Sequence, residues 1–503
     1  MPEIELKLAA RASDLPRLRR ALEEMAPGGK TAPAKLVSTY YDTADHALAR
    51  RGWALRVRQR DGNFVQTVKT TGIDGDTPLA RGEWEDPVAS ARPDPHAGDS
   101  GRFLTPDVAD RLNPLFRTEV TRLVADLSPA PGIRIEAAID RGEICAPGSG
   151  PSEPISEIEL ELKSGPVTAL YDLALRLLAS TPLRLEQRSK ADRGYRLAAG
   201  PTGAAAARAQ PFALDSCLSA DAALQHIGRT CLLQAIRNEA AVLAGRADAV
   251  HQMRVAVRRL RAALSGFREI LPVEQRRWAC DELRWLAGAL ADARNLDVFE
   301  SSLLSPVRET LPHAKQLDAA LQRRRRAAYT AARRAIRSRR YTALMLKLLR
   351  WFDSCGWREG DATGDRHRSI GEIGPELLDQ RRRAAKKAGK GFAGQSPEER
   401  HQLRIALKKL RYTGELLGGL YDAGEVRKFT ERLKLLQDDL GHANDLRVGE
   451  DIVAELTRNG ADSDIAEAGR RVLDFHQRRI AKLEPKVRRH LRQLFHTAPF
   501  WRR

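Results

Sequence analysis

Acidic and basic residues stand at alternate positions in several short segments of the N-terminal half. The segment Glu3–Lys7 reads Glu-x-Glu-x-Lys, and Glu157, Glu159 and Glu161 repeat the spacing later. Because side chains alternate across a β-strand, each set lies on one face, opposite apolar residues. Carboxylate oxygens suit hard divalent cations such as Mg²⁺ or Mn²⁺, and Arg and Lys suit phosphate oxygens. If they converge, these residues could hold a metal-bound polyphosphate.

Other segments alternate in the same way but carry basic or mixed charges. Their charged positions include Arg56, Arg58, Lys69, Glu83, Arg122 and Asp140. The simpler interpretation is an antiparallel sheet with one solvated, charged face. The number of such strands favours a closed barrel, whose interior can be polar and hold one ligand. Charges inside a barrel are costly unless they are paired, hydrogen-bonded or metal-bound, so a convergent set implies a ligand.

The elements that position these residues change character near the middle of the chain. The whole chain has a net charge of +19. Residues 1–200 have a net charge of −1, so residues 201–503 have a net charge of +20. Between the halves, Ala199–Pro211 is rich in Gly, Pro and Ala and is typical of a linker. Alternating segments precede it and long stretches of helical period follow it. We therefore predict a mainly β domain at 1–200, a linker at 201–215 and an all-α domain at 216–500.

The C-terminal domain contains an internal repeat. Residues 251–261, HQMRVAVRRLR, recur as 401–411, HQLRIALKKLR, with six of 11 positions identical, and the segments at 290–296 and 440–446 match at the same offset of 150. The pattern predicts two copies of a helical unit, at about 216–350 and 366–500. On a helix, one basic stripe repeats on both copies: His251, Arg254, Arg258, Arg261, His401, Arg404, Lys408 and Arg411. A solvated basic face is the simpler interpretation, and a groove for a long polyanion is the alternative.

The N-terminal motifs resemble, in order, those of CYTH domains, the triphosphate tunnel metalloenzymes. The resemblance begins with Glu-x-Glu-x-Lys and covers about 195 residues. Further matching segments are Tyr40–Thr43, Leu55–Arg58, Thr67–Lys69, Arg81–Glu83, Arg122, Glu136–Asp140, Glu157–Glu161, Ser189–Lys190 and Gly194–Tyr195. This resemblance implies an eight-stranded antiparallel tunnel of α+β class that hydrolyses or cyclises triphosphates with Mg²⁺ or Mn²⁺.

The resemblance also implies roles for individual positions. The implied metal ligands are Glu3, Glu5, Glu83, Asp140, Glu157, Glu159 and Glu161, with Glu83 and Asp140 in assisting places. The implied triphosphate-binding residues are Lys7, Arg56, Arg58, Lys69, Arg122 and Lys190. Glu3, Glu5, Lys7 and Lys190 are the implied catalytic residues. Phosphoryl transfer depends mainly on positioning and on neutralising oxygen charge, which these residue types supply.

The repeat motif resembles the CHAD domain, a helical module that often follows CYTH, and the resemblance implies binding of inorganic polyphosphate. The first copy departs from the family pattern, with Ala291 and Asn295 where Gly and Asp are usual. The two-domain order resembles bacterial inorganic triphosphatases. We therefore predict hydrolysis of tripolyphosphate to pyrophosphate and phosphate. A CYTH enzyme that acts on nucleoside or thiamine triphosphate, adenylate cyclase included, remains open, as does a non-catalytic polyphosphate-binding granule protein.

Composition excludes several other classes of protein. Five scattered cysteines argue against a disulfide framework, and the chain has neither a signal-peptide pattern nor a run of about 20 apolar residues. We expect a cytoplasmic protein without a membrane partner, associated in one alternative with polyphosphate granules. Nucleic acid ranks third as a partner, because only 5% of residues are aromatic and no known DNA-binding spacing occurs. The oligomeric state does not follow from the sequence.

Overall fold

The chain forms two compact units. The computed structural model describes residues 3–26, 33–70, 80–147, 150–200, 205–361, 364–458, 463–481 and 483–502. The first unit comprises Met1–Ala204 and Arg337–Ser354, and the second comprises Ala205–Ile336 and Cys355–Arg503. The sequence had suggested that 337–350 would belong to the first helical repeat. Instead, a segment from the middle of the chain returns to the N-terminal unit.

In the described part of the chain, ten strands, all in the first unit, build one antiparallel sheet. They are β1 (Glu3–Ala9), β2 (Ala34–Asp42), β3 (Trp53–Arg60), β4 (Asn63–Thr70), β5 (Ala80–Arg81), β6 (Glu83–Val88), β7 (Asn113–Ala130), β8 (Ile133–Cys145), β9 (Ser152–Ser164) and β10 (Arg184–Leu185). The strand order is β10-β1-β9-β8-β7-β2-β3-β4-β6, and β5 pairs with β1. Long alternating segments thus became long strands, as predicted.

The short ribbon at 80–88 closes this sheet into a tunnel. Its first part, β5, pairs with β1 at Glu3↔Arg81, and its second part, β6, pairs with β4 at Lys69↔Glu83. One continuous stretch of backbone therefore bonds to β1 on one side and to β4 on the other. With β5 and β6 counted as one strand, and without the two-residue β10 that extends the edge of β1, eight of the described strands surround the interior, so the predicted eight-stranded antiparallel tunnel is confirmed.

Helices cover the outside of the tunnel and form the second unit. They are α1 (Leu15–Met25), α2 (Ala47–Arg50), α3 (Gly98–Gly101), α4 (Pro106–Ala109), α5 (Thr168–Ser180), α6 (Lys190–Ala198), α7 (Ala220–Arg237), α8 (Glu239–Leu243), α9 (Ala247–Gly266), α10 (Val273–Ala289), α11 (Ala291–Val298), α12 (Ala314–Ile336), α13 (Arg339–Asp353), α14 (Ile370–Ala388), α15 (Pro397–Leu417), α16 (Ala423–Thr457), α17 (Ser463–Ala481) and α18 (Glu484–His496). Short 3₁₀ turns and one π-helical turn join several of them. The predicted all-α character of the C-terminal part is confirmed.

Helix α13 packs on α5 within the first unit. The Tyr171 hydroxyl on α5 lies 2.5 Å from Asp353 Oδ2, and Thr342 Oγ1 donates to the Leu183 carbonyl at 2.9 Å. Arg350 Nε donates to Asp172 at 2.6 Å. The apolar residues Leu170, Leu173, Leu177 and others of α5 are almost fully buried. The first unit is therefore completed by a helix that lies far away in sequence.

The repeat in the second unit has unequal halves. In the first copy, α10 ends at Ala289 and α11 begins at Ala291. In the second copy, α16 runs unbroken from Ala423 to Thr457 through the matching segment. The helix break thus falls where the first copy departs from the family pattern.

The second part of the predicted linker packs on the second unit. Residues 201–204 lie outside the described part of the chain, but the amide of Ala207 donates to Asn238 Oδ1 at 3.0 Å. Arg259 donates to the Gln210 carbonyl at 2.9 Å and lies 4.2 Å over the Phe212 ring. Residues 205–212 are thus held in place by the second unit. No helix that the structure describes is long and apolar enough to cross a membrane.

Candidate functional site

Strand register brings the charged faces of the first unit together inside the tunnel. On β1 and β9, Lys7 is the Cα partner of Glu159 and Glu5 is the partner of Glu161. On β8 and β9, Asp140 is the partner of Glu157. Residues paired across an antiparallel ladder project to the same side of the sheet. The alternation seen in the sequence is therefore converted into one inward-facing surface.

The tunnel encloses a cavity of about 300 Å³. Among the described residues, seven cationic and seven carboxylate side chains line it: Lys7, Arg56, Arg58, Lys69, Arg122, Lys163 and Lys190, and Glu5, Glu83, Glu85, Glu136, Asp140, Glu159 and Glu161. Tyr40 also lines the cavity. The equal numbers explain why the near-neutral net charge of the N-terminal half conceals so charged an interior.

Three carboxylates form a compact buried group at one side of the cavity. Asp140, Glu157 and Glu159 each offer one oxygen, and these oxygens lie within 4.8 Å of one another. Lys190 Nζ lies 2.7 Å from Asp140, 2.5 Å from Glu157 and 2.9 Å from Glu159. Arg122 contacts Asp140 at 2.6 Å and Glu159 at 2.5 Å. Lys190 and Arg122 thus hold the three carboxylates close together, and Lys7 lies 3.0 Å from Glu159.

These contacts set the protonation states of Glu159 and Lys190. Burial opposes charge on Glu159, but Lys190, Lys7 and Arg122 outweigh it and hold the pKa of this carboxyl well below its usual value. Burial likewise opposes charge on Lys190, and the carboxylates of Asp140, Glu159 and Glu157 outweigh it and raise its pKa. Both groups are therefore ionised at neutral pH.

A second set of charges lies on the β3–β4–β6 side. Lys69 Nζ lies 2.8 Å from Glu83, and Arg56 Nη2 lies 3.4 Å from both Glu83 and Glu85. Burial, with Arg56 and Arg122 nearby, lowers the pKa of Arg58 to about 10. The buried Nε of Arg58 has no hydrogen-bond partner among the described residues. An N–H donor in this condition is stabilised by an anion that enters the cavity.

Helix α6 places Lys190 at the cavity wall. Ser189 caps the helix with a capping box, in which its hydroxyl accepts from the Asp192 amide and Asp192 accepts from the Ser189 amide. A Cβ at Gly194 would lie 2.0 Å from the Phe116 ring, so only glycine lets the helix approach β7 this closely. The Tyr195 hydroxyl donates to Asp42 at 3.0 Å. The motif residues around Asp42 and Gly194 thus position the helix.

Arg193, also on α6, holds Glu157 from behind. Its guanidinium is only 6% exposed and donates to Glu157 at 3.1 Å, to Glu153 at 2.8 Å and to the Pro154 carbonyl at 2.5 Å. The sequence analysis did not identify this residue. The one feature of the sequence that could have indicated Arg193 is its position three residues after Lys190, on the same helix face.

Most of the predicted tunnel residues converge in the structure. Those that line the cavity are Glu5, Lys7, Arg56, Arg58, Lys69, Glu83, Arg122, Asp140, Glu159, Glu161 and Lys190, whereas Glu157 stands behind the wall in the carboxylate group. Glu3 is placed only by its backbone, and its side chain lies outside what the structure describes. Lys163, which pairs with Glu161 at 2.6 Å, and Glu85 were missed. Each lies two residues after a predicted site residue on the same strand, and this alternation could have identified both of them.

In the second unit, basic residues of α9, α11 and α15 gather into what we call the basic cluster. It contains His251, Arg254, Arg258, Arg294, Arg404, Lys408 and Arg411, which perturb one another electrostatically. Burial, then Arg404 and Arg258, lowers the pKa of Lys408 to about 7. Burial and neighbouring arginines, Arg294 first, lower the pKa of His251 to about 4.

Several donors of the basic cluster lack partners. The buried Nε atoms of Arg254, Arg258 and Arg404 have no hydrogen-bond partner among the described residues, whereas Arg411 Nε lies 3.3 Å from Glu415. Unpartnered buried Nε atoms also occur at arginines elsewhere in the described chain, so the mutual repulsion of its cations, and not these donors alone, distinguishes the cluster. The cluster thus combines unpartnered donors with cations that lower one another's pKa.

Two residues of the predicted stripe lie elsewhere. Arg261 lies near Lys409 and Cys280, and Lys409 is also close to Arg381. His401 is exposed and lines a separate cavity with Arg404. The stripe expected from helical geometry is therefore split in the folded unit, while Arg294, from the second matched segment, joins the cluster.

Comparison with known proteins agrees with both halves of the chain. Residues 1–195 match the CYTH domain family, and residues 226–454 match the CHAD domain family. An inorganic triphosphatase of Haemophilus influenzae is 36% identical over 163 residues, which are 32% of this chain and 46% of that protein. An uncharacterized protein of Mycobacterium tuberculosis is 29% identical over 273 residues, 49% of this chain and 51% of that protein. The matches thus span about half the length of these curated relatives.

A solved structure resembles the second unit. The crystal structure of the CHAD domain from the plant Ricinus communis has 29% sequence identity and a TM-score of 0.52. The alignment covers 59% of this chain and 99% of that domain.

Proposed function

The chain carries a CYTH domain at its N-terminus and a CHAD domain at its C-terminus, and we propose that its tunnel hydrolyses inorganic triphosphate to pyrophosphate and phosphate with Mg²⁺ or Mn²⁺. The observation that carries the proposal is the composition of the cavity wall. Seven cations and seven carboxylates face one another there, and Tyr40 is the only aromatic side chain among the described lining residues. Such a wall suits a metal-bound polyanion and offers little surface for stacking a nucleobase or thiamine ring.

The residues present fit a hard divalent cation. The carboxylate group of Asp140, Glu157 and Glu159 supplies only oxygen ligands, gathered within 4.8 Å. Oxygen-only donor sets are typical of Mg²⁺ and Mn²⁺ sites. When bound, such an ion would neutralise phosphate oxygens and lower the pKa of a coordinated water.

The other residues of the tunnel bind and orient the substrate. Lys190 and Arg122 are the cations next to the carboxylate group, so a phosphate held there lies within their reach. Arg56, Arg58 and Lys69 offer donors from the opposite wall. Because catalysis of phosphoryl transfer is largely positioning and charge stabilisation, this two-sided clamp supplies its main requirements.

A substrate panel tests this proposal. Tripolyphosphate, ATP and thiamine triphosphate are incubated with the protein in Mg²⁺, Mn²⁺ or EDTA, and the products are identified by ion chromatography. We expect pyrophosphate and phosphate from tripolyphosphate, lost in Lys190→Ala, and retained in Lys35→Ala, whose side chain is 74% exposed on β2. Absence of metal-stimulated turnover would refute the proposal, and cyclic AMP formed from ATP would identify a cyclase.

We further propose that the basic cluster of the second unit binds long-chain inorganic polyphosphate. Its support is the set of open guanidinium donors described above, since repeated phosphate groups supply one acceptor after another at close spacing. The proposal makes the protein a triphosphatase joined to a polyphosphate-binding module. Adding long-chain polyphosphate to the same substrate panel decides whether it is also a substrate.

The binding test needs a control for nonspecific charge. Arg254, Arg258, Arg404 and Lys408 are changed to alanine together, and affinity for long-chain polyphosphate is measured by calorimetry. The matched control removes four exposed basic side chains, those of Arg277, Arg284, Lys428 and Arg471. We expect a loss of at least tenfold in affinity only in the first variant. Equal losses in both would mean that net charge, and not the cluster, binds polyphosphate.

A further inference from the structure

A second cavity in the second unit lies beside the basic cluster. It measures about 480 Å³ and is bordered by α15, α16, the end of α17 and the start of α18. Its described apolar wall includes Leu440, Ile480, Leu483 and Val487. Both its volume and its mixture of apolar and polar lining fall in the range of small-molecule sites.

The polar side of this cavity carries a surplus of positive charge. Arg400, Arg404 and Arg447 line it. Of the two lining carboxylates, Glu484 already accepts from Arg400 at 3.0 Å, and Asp439 is occupied by Lys486 at 2.9 Å and His490 at 3.1 Å.

Two of the arginines present open donors. The buried Nε atoms of Arg400 and Arg404 have no hydrogen-bond partner among the residues described. The guanidinium of Arg400 is also fixed, because it lies 4.7 Å over the Phe392 ring. Leaving such a donor unpaired costs about 1–3 kcal/mol, so an acceptor oxygen that enters the cavity is favoured.

The apolar wall decides the kind of anion. Inorganic phosphate and polyphosphate have no apolar surface, so contact with Leu440, Ile480 or Leu483 would not stabilise them. A ligand with an apolar body releases water from this wall, at about 25 cal/mol per Å² buried. We propose that the cavity binds a small organic phosphate, with its phosphate on Arg404 and its apolar body against α16 and Leu483.

Arg404 couples this cavity to the basic cluster. Arg404 belongs both to the cavity wall and to the basic cluster, so one guanidinium cannot serve both ligands fully at once. An organic phosphate in the cavity therefore weakens polyphosphate binding. This competition rests on the proposed polyphosphate function, whereas the cavity site itself does not.

Calorimetry on the full chain in EDTA tests the site. The probes are AMP, whose body is a planar heteroaromatic nucleoside, hexyl phosphate, whose body is aliphatic, and inorganic phosphate, which has none. We expect AMP or hexyl phosphate to bind at least tenfold more tightly than inorganic phosphate, and the better of the two identifies the body. If neither exceeds inorganic phosphate, the proposal is wrong.

Two variants locate the binding. Leu483→Trp fills the apolar part, and Arg447→Glu, at an exposed arginine on the rim, reverses one charge without repacking. Each should weaken the organic phosphate at least tenfold, whereas Val273→Trp, at a residue 55% exposed on α10, should not. Binding that survives both changes but is lost in the tunnel variant Lys69→Ala would overturn the proposal. Unchanged polyphosphate affinity in saturating AMP or hexyl phosphate would refute the competition alone.

Discussion

Replacing Arg193 by methionine is expected to destabilise the tunnel and weaken its metal site together. Arg193 donates to Glu157, which is 2% exposed and stands in the carboxylate group. Removing one partner of a buried ion pair costs about 3–5 kcal/mol. Because Glu157 keeps Lys190 at 2.5 Å, we expect the lower end, about 3 kcal/mol in the free energy of unfolding.

Two measurements follow from this value. For a domain of this size, about 3 kcal/mol corresponds to a fall of roughly 6–12 °C in the melting temperature of the first unit, seen by calorimetry. Loss of a residue that orients a metal ligand typically reduces metal affinity by about 10–100-fold. The Mg²⁺ concentration for half-maximal triphosphatase activity should rise by that factor, while kcat at saturating Mg²⁺ changes little.

Arg196→Met is the matched control. Arg196 lies one turn later on α6 and contacts Glu153 at 3.1 Å, as Arg193 does, but no contact joins it to Glu157 among the described residues. Its pair is partly exposed, so its loss should cost less than about 1 kcal/mol and leave the Mg²⁺ dependence unchanged. Equal effects of the two substitutions would refute the positioning role of Arg193. A loss of kcat that excess Mg²⁺ does not restore would refute it too, because the substitution would then have impaired the catalytic step and not metal binding.

Further predictions concern other parts of the chain. The affinity for polyphosphate should fall about tenfold as pH rises from 6 to 8.5, because the pKa of Lys408 is about 7 and an anion binds its charged form more tightly. In a calorimetric titration, the affinity of Lys408→Arg should depend less on pH. The same lowered pKa makes the second unit more stable to denaturant as pH rises from about 7 to 10, since the unfolded chain then binds the extra proton. Gly194→Ala should cost about 1–3 kcal/mol in thermal unfolding, because its Cβ would overlap the buried Phe116 ring, and an unchanged melting temperature would show that α6 shifts freely. A fragment of residues 1–204 lacks α13, which packs on the apolar face of α5. This fragment should aggregate, or have a melting temperature well below that of the first unit in the intact protein. An equal melting temperature would contradict that account.

Sequence alone predicted the features that depend on local periodicity. Alternation placed Glu5, Lys7 and Glu159 on one face of their strands, and register then brought them together as expected. The helical period likewise predicted that His251, Arg254 and Arg258 share one side of α9. In both cases one element's own geometry fixes the direction of each side chain.

Features that depend on contacts between distant elements escaped prediction. Arg193 acts through Glu153 and Glu157, which lie on a strand some 40 residues earlier, and no local pattern records that approach. Arg261 shares the helical stripe but is drawn towards Lys409 on α15 by packing between helices. Helix α13 reads as an ordinary amphipathic helix, and only tertiary contacts show which unit it completes.

The position of α13 in the chain also sets an order of events during synthesis. Residues 205–336, which belong to the second unit, leave the ribosome before the helix that completes the first. At about 5–20 residues per second, roughly 20–70 s pass between the start of translation and the appearance of Asp353. From the completion of α5 at Ser180 until Asp353 appears, roughly 9–35 s at that rate, α13 is not available to cover the apolar face of α5. Synthesis of the first unit is therefore completed only after part of the second unit has been made. During this interval the apolar face of α5 is open to chaperones.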